Sequence, residues 1–348
     1  MVTPVTAEDD ALAGSVNSGS AEADGLRTPL PRGKRPGLPR RAAPYTLLAV
    51  IVVEFFIFAA IKPAAFLNTD TLSTILSSQA PLLIATLGLT LTLITNEFDL
   101  TVGANLVFTD VMVAALAVNF HMPIALAVVV AVLAGTFVGI LNAVLVVGLK
   151  INSFIATLGM STLLTGVSLA IAGSTIISDV PHPLVVLAGT NVLSIPLTVY
   201  YAFGLAILMW YLYEYTPLGR YLYFTGGSVD VARLSGLPTN AIKAGAFIAS
   251  AVITSFAGLM EAGTVGSADP TAAPSFLLPA FAGAFLGATA IKVGRFNIWG
   301  TMVASYLLFT GITGLALLGL TGWVQDAFNG AALLVAIVAA RLTSRTPR

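Results

Sequence analysis

The sequence predicts an all-α protein, a polytopic bundle of about ten transmembrane helices with both termini in the cytoplasm. Three observations predict it. Of the 348 residues, 57% are hydrophobic and only 9% are charged, whereas a soluble domain carries about 25% charged residues and needs them to face water. The apolar residues fall into about ten stretches of near-spanning length. The basic residues then sort to one side of the membrane when those stretches are threaded across it.

Residues 1–43 come first, rich in Ser, Gly, Pro and charge and without an apolar run. Such a segment cannot offset its ordering entropy, so it reads as a disordered cytoplasmic tail. The first apolar stretch begins only near Pro44, too late for a cleaved signal peptide. The transmembrane domain is expected over 44–341, with a short basic tail at 342–348. The expected spans lie near 44–61, 80–95, 101–118, 124–148, 153–172, 197–213, 244–262, 279–291, 297–319 and 326–340. Alternating sides from a cytoplasmic N-terminus places fifteen of the sixteen Lys and Arg inside, leaving only Lys62 outside. An odd number of spans scrambles this sorting. The protein is therefore expected in a membrane, in contact with lipid.

Within the spans, Ala131, Gly135, Gly139 and Ala143 recur every four residues, and Gly300 and Ala304 repeat the spacing. Small residues at this spacing let two helices approach closely in lipid. Glu54 and Asp110 each put a carboxylate inside a span. At that depth a charge faces protein or a water-filled path, which leaves a structural hydrogen bond and a solute contact both open.

Three polar stretches interrupt the apolar text. Asn96-Glu97-Phe98-Asp99-Leu100-Thr101-Val102-Gly103 separates the second and third spans; Asp99 there reads as a helix cap or a solute contact. Residues 214–243 form a long cytoplasmic loop. Within it Ser228 to Leu234 can make a short helix, with Ser228 as N-cap, Asp230 near its positive end, and Gly236 and Pro238 ending it. A short helix outside the membrane is suited to a partner's groove. The third stretch, Gly287 to Thr301, is a tight basic turn, and together with the first it hints at a twofold internal repeat.

Several function classes are excluded. No basic stretch carries interleaved aromatics, so nucleic acid is not an expected partner. The chain has no cysteine, hence no disulfide, thiolate metal site or thiol nucleophile. The only Gly-Lys pair, Gly33-Lys34, is no phosphate-cradling loop, and neither a zinc-protease helix nor a nucleophile elbow occurs. Active transport would then draw its energy from an ion gradient or from a separate ATPase.

Taken in order, five fragments resemble one family. They are Asn96 to Gly103, Ser153 to Met160, Thr216-Pro217-Leu218-Gly219-Arg220, Gly226-Gly227 through Arg233-Leu234-Ser235-Gly236, and Ala268-Asp269-Pro270. The family is that of the permeases of binding-protein-dependent sugar ABC importers, of the ribose, xylose, arabinose and galactose type. The likeness runs from about residue 45 to 340. It implies a pore of two permeases, identical or paralogous. It also implies two cytoplasmic ATPase domains that hold ATP and Mg, and a periplasmic or lipid-anchored binding protein that delivers a small sugar-like solute. No cofactor is expected in this chain, and no metal. By the resemblance, Gly226, Gly227, Asp230, Arg233, Leu234, Ser235 and Gly236 form the coupling helix. Asn96, Asp99, Phe154 and Thr157 lie near the translocation path, to which Asp110 and Glu54 are added as intramembrane carboxylates. Two departures stand out. Ser228-Val229 replaces the family's Asn-Glu, with Asp230 one position later, and Gly287-Ala288-Thr289 replaces Gly-Gly-Thr. The solute itself does not carry over. An ion-coupled carrier or channel is the alternative, and it needs buried carboxylates in both halves.

Overall fold

A computed structural model describes residues 45–320 and 322–344. The stretch expected to be a tail, 1–43, lies outside the described residues, as does the end of the expected basic tail beyond Ser344.

Most of the described chain is helical. In order come α1 (Thr46–Ile61), α2 (Pro63–Phe66), α3 (Thr69–Ser77), α4 (Ala80–Ile94), α5 (Thr101–Ala114), α6 (Ile124–Ala143), α7 (Ser153–Ala172) and α8 (His182–Gly189). A two-residue antiparallel hairpin, β1 (Asn191–Val192) and β2 (Ile195–Pro196), leads to α9 (Leu197–Tyr215), α10 (Pro217–Gly227) and α11 (Val229–Leu234). The chain ends with α12 (Thr239–Val265), α13 (Ala273–Gly287), α14 (Ile298–Leu317) and α15 (Trp323–Ser344). α5 and α6 each continue through a wider π turn, to Asn119 and Gly148.

Each of the ten expected spans falls on a helix. Among the described residues, six helical stretches are long and apolar enough to cross a membrane: 75–94, 101–119, 124–148, 153–172, 239–265 and 298–317. Thr46–Ile61, Ala273–Gly287 and Trp323–Val338 are apolar but shorter. The boundaries moved where a proline or a polar run misled the reading. The helix on which the eighth expected span falls starts at Ala273, not 279, because Pro279 sits inside the helix, where neighbouring helices tolerate it. The loop expected at 214–243 is mostly helix. α10 forms because Pro217 takes a first-turn position and Gly219, Leu222 and Thr225 share a buried face.

α12 is the hub. It lies along α4, α5 and α6. The small-residue stripe of α6 is the reason it can: a methyl group at Gly139 would stand 2.4 Å from Ala251 Cβ and 2.9 Å from the Phe247 carbonyl oxygen. The stripe therefore serves helix packing, as its spacing predicts. Asn105 on α5 fills the polar middle of this seam, donating to the Ala251 carbonyl at 3.1 Å and to Thr254 Oγ1 at 2.8 Å.

The packing repeats between the two halves. α5 packs on α6 and α7, as α13 packs on α14 and α15; α12 runs along α5 and α6, as α4 runs along α13 and α14. This relates the segment before α5 to the segment before α13, residues 266–272, rather than to the basic turn that the sequence had paired with it. Both segments carry one device. Asp99 Oδ1 accepts from the Thr101 N–H at 3.0 Å and the Thr101 hydroxyl at 2.5 Å. Asp269 Oδ1 accepts from the Thr271 N–H at 2.8 Å and the Thr271 hydroxyl at 2.7 Å.

The helix ends sort to two ends of the bundle. One end, here the connector end, gathers 95–100, 148–153, 216–239 and 288–297, joined by contacts such as Phe98 to Ser153 and Tyr223 to Phe296. At the other end 174–180 meets 266–268 through the Ile177–Ala268 bridge.

Candidate functional site

α4 stops at Ile94 and the chain crosses six irregular residues before α5. Asn96 takes a left-handed conformation, φ 62°, which asparagine tolerates better than most residues. A broken helix frees backbone N–H groups that must be satisfied by protein. α7 supplies the acceptors. The Phe98 N–H donates to Ser153 Oγ at 3.2 Å, and the Leu100 N–H donates to Thr157 Oγ1 at 3.1 Å. Thr157 in turn donates to the Ser153 carbonyl at 2.7 Å. Asn152 caps α7, accepting from the Phe154 N–H at 3.0 Å.

Asp99 is buried. Besides its two bonds from Thr101, its Oδ2 accepts from the Ser250 hydroxyl of α12 at 3.2 Å. Asn142 of α6 donates to Thr101 Oγ1 at 2.9 Å. Three helices therefore close on the Asp99–Thr101 turn, and Asp99 faces protein. One turn outward, Glu97 pairs with Lys243 of α12 at 2.5 Å, with both side chains largely covered. Phe98 and Phe154 remain exposed, their rings 6.4 Å apart edge to face. They line a groove of about 660 Å³ with Asn96, Lys150 and Ser153.

Of the residues expected along the path, the structure brings together Asn96, Asp99, Phe154 and Thr157. Asn96 and Phe154 face the groove; Asp99 and Thr157 are the buried supports behind it. Asp110 and Glu54 lie elsewhere. Asp110 is buried on α5, its Oδ1 without a hydrogen-bond partner, and its charged neighbours are Glu261 and Asp269. Glu54 on α1 lies close to Gly311 of α14, which also adjoins Phe328 of α15.

The connector is built in two parts. α10 is fastened on three sides. Gly219 backs onto Tyr213 of α9, and Gly226 meets the end of α4 so closely that a methyl group there would lie 1.8 Å from the Ile94 carbonyl oxygen. The Tyr223 hydroxyl donates to the Phe296 carbonyl at 2.6 Å, and Arg295 stands over the Tyr223 ring at 4.9 Å. α11 has the caps that the sequence predicts. Ser228 Oγ accepts from the Val231 N–H at 3.4 Å, Asp230 lies in the first turn and Arg233 in the last. Ser235 follows the helix, its hydroxyl donating to the Val231 carbonyl, and Gly236 turns the chain at φ 82°. Only Ala232 is buried, and Leu234 is 89% exposed. A leucine in water on a capped helix is a knob without a socket.

The model of the family described as branched-chain amino acid transport system / permease component matches residues 71–337. The chain belongs to this permease family. It is 30% identical to the ribose import permease protein of Haemophilus influenzae over 83% of this chain and 90% of the relative. It is 27% identical to the D-allose transport system permease protein of Escherichia coli K12, over 86% and 91%. It is 28% identical to the autoinducer 2 import system permease protein of Salmonella paratyphi B, over 84% of each. No solved structure matches the chain. In a membrane protein, irregular backbone belongs buried in protein or beside a water-filled cavity, and here one face is buried while the other lines the Phe98–Phe154 groove.

Sequence reasoning missed Lys243, Ser250, Ser153 and Glu261. Ser153 and Thr157, two hydroxyls one turn apart at a helix start, were a legible sign for a bend that needs acceptors. Glu261, a carboxylate inside the seventh expected span, was equally visible. Lys243 and Ser250 had no local signal, because their partners lie 146 and 151 residues away.

Proposed function

We propose that this chain is the translocation subunit of an ATP-binding-cassette importer for a monosaccharide or related small polar solute. One observation carries the reading. α12 follows the exposed α11 knob directly and grips the α4–α5 break at three levels: Lys243 on Glu97, Ser250 on Asp99, and the Ala251–Thr254 turn on Asn105. A push on α11 from outside the chain therefore reaches the wall of the Phe98–Phe154 groove through one continuous helix.

In this reading the chain crosses a bacterial inner membrane ten times with both termini in the cytoplasm. The gathering of Lys150, Arg220, Arg233, Lys243, Lys292 and Arg295 at the connector end supports that orientation. A cytoplasmic ATPase, which holds the ATP and Mg, receives Leu234 and Arg233 in a groove. ATP binding closes its two domains and carries the α11 helices with them. α12 then shifts the Asp99 turn, and Phe98 and Phe154 open or close one mouth of the path. A second permease covers the long face of α7, where Ile155, Leu158, Leu163 and Val167 stay exposed. A binding protein delivers the solute at the opposite mouth. The relatives' names, which span ribose, allose and autoinducer 2, support a small, polar cargo.

The test replaces Arg233 and Leu234 together by alanine in the full chain. Expected are normal membrane insertion, loss of ATPase co-purification and loss of ATP-driven uptake. Unchanged uptake removes α11 from the power stroke. Nucleotide-independent accumulation by the wild-type chain alone would instead favour an ion-coupled carrier, with Asp110 and Glu261, one from each half, as its carboxylates.

A further inference from the structure

We infer that the cleft between α9, α10 and the 288–296 turn binds the phosphate of an anionic membrane lipid. The inference rests on the orientation proposed above, which puts this end of the bundle at the cytoplasmic surface. The cleft encloses about 420 Å³, and Arg220, Lys292 and Arg295 stand on its wall against one carboxylate, Glu214. Glu214 pairs with Lys292. Neither Arg220 nor Arg295 makes an ion pair among the described residues. Two guanidinium groups are therefore left uncompensated beside a cavity, and their planar forks match phosphate oxygens. Arg295 is also held in position, since it stacks on Tyr223 and that ring is fixed by its bond to Phe296.

The surroundings select a lipid over other anions. Trp210, Tyr215 and Trp299 form a cluster with centroid separations of 5.2 and 5.9 Å, and Tyr211 stacks on Tyr215 at 5.7 Å. Such rings settle at head-group level. Beside them α10 exposes Leu218, Tyr221 and Phe224 at three-residue spacing, an apolar stripe on a helix outside the long spans. A lipid can lay its chain along the stripe and its phosphate in the basic cleft. A soluble phosphate uses only the cleft.

The experiment is native mass spectrometry of the purified full chain, titrated with phosphatidylglycerol, phosphatidylcholine and glycerol 3-phosphate. Expected is retention of phosphatidylglycerol and not of phosphatidylcholine. One surface charge corresponds to roughly a fivefold change in affinity, so R220Q with R295Q weakens retention about 25-fold. R220Q alone, which leaves the Arg295–Tyr223 stack in place, weakens it about fivefold. K150Q, at the same end but outside the cleft, changes nothing. Equal retention of the two phospholipids, or full retention by the variants, overturns the proposal. Glycerol 3-phosphate binding as tightly as phosphatidylglycerol assigns the cleft to a soluble phosphate and overturns the lipid. The measurement needs neither ATPase nor solute, so its failure leaves the transport assignment untouched.

Discussion

The two adjacent glycines at the end of α10 should respond to alanine in opposite ways. At Gly226 the added methyl group would lie 1.8 Å from the Ile94 carbonyl oxygen, and at Gly227 nothing stands within 4 Å. An ordinary carbon–oxygen contact is about 3.3 Å, so Gly226→Ala must open the α4–α10 seam by about 1.5 Å. The obstacle is backbone at the end of a buried helix, which cannot rotate away. Overpacking of this kind costs about 1–3 kcal/mol, and a backbone obstacle puts the cost near the upper figure. Alanine regains about 1 kcal/mol of helix propensity. The net expectation is about 2 kcal/mol of destabilisation for Gly226→Ala and a slight gain for Gly227→Ala. Thermal unfolding in detergent reads the first quantity. ATP-driven uptake in proteoliposomes with the partner proteins reads the effect on coupling, because a connector prised off α4 no longer moves with the break. If the two variants behave alike in both assays, the connector is not seated on α4 and the route from α11 to the Asp99 turn fails.

Further outcomes follow from the same geometry. Lys243→Met leaves Glu97 covered and unpaired, and removal of one partner of such a pair costs about 2–4 kcal/mol after allowance for its partial exposure. Adding Glu97→Gln should recover much of that stability but not the ATP coupling, which a double-mutant cycle on unfolding and uptake separates. Asp99→Ala should abolish most uptake, whereas Asp99→Asn keeps an acceptor for Thr101 and should retain more; equal loss in both would mean that charge rather than the turn matters. Burial first, and then the Glu214 carboxylate, push the Tyr223 phenol up to about 12, with Arg295 acting the other way. The unfolded phenol loses its proton near pH 10, so the stability from the Tyr223–Phe296 bond is complete below that pH and is lost as pH rises from about 10 to 12. A thermal-shift series against pH should show a larger loss in the wild type than in Tyr223→Phe, which keeps the buried Tyr213 and Tyr306 phenols.

The class of the protein and the nature of most of its elements were legible in composition and pattern. Lipid and water partition the same residues, so ten apolar stretches fell on ten helices, and capping chemistry is local enough that Ser228, Asp230 and Gly236 announced α11. The small residues of α6 likewise carried their packing role in their spacing. What the sequence alone could not decide was pairing at a distance. Two carboxylates, Glu54 and Asp110, looked equal to Asp99, yet only Asp99 has α5, α6 and α12 converging on its turn. The internal repeat was sought in a basic turn and found instead in two Asp-x-Thr segments, because backbone satisfaction, not charge, is what the two bends share. Lys243 reaches Glu97, and Gly226 reaches Ile94, only because α12 and α10 fold back across the end of α4. Such contacts leave no local periodicity, since their energy depends on geometry that exists only once the helices have packed.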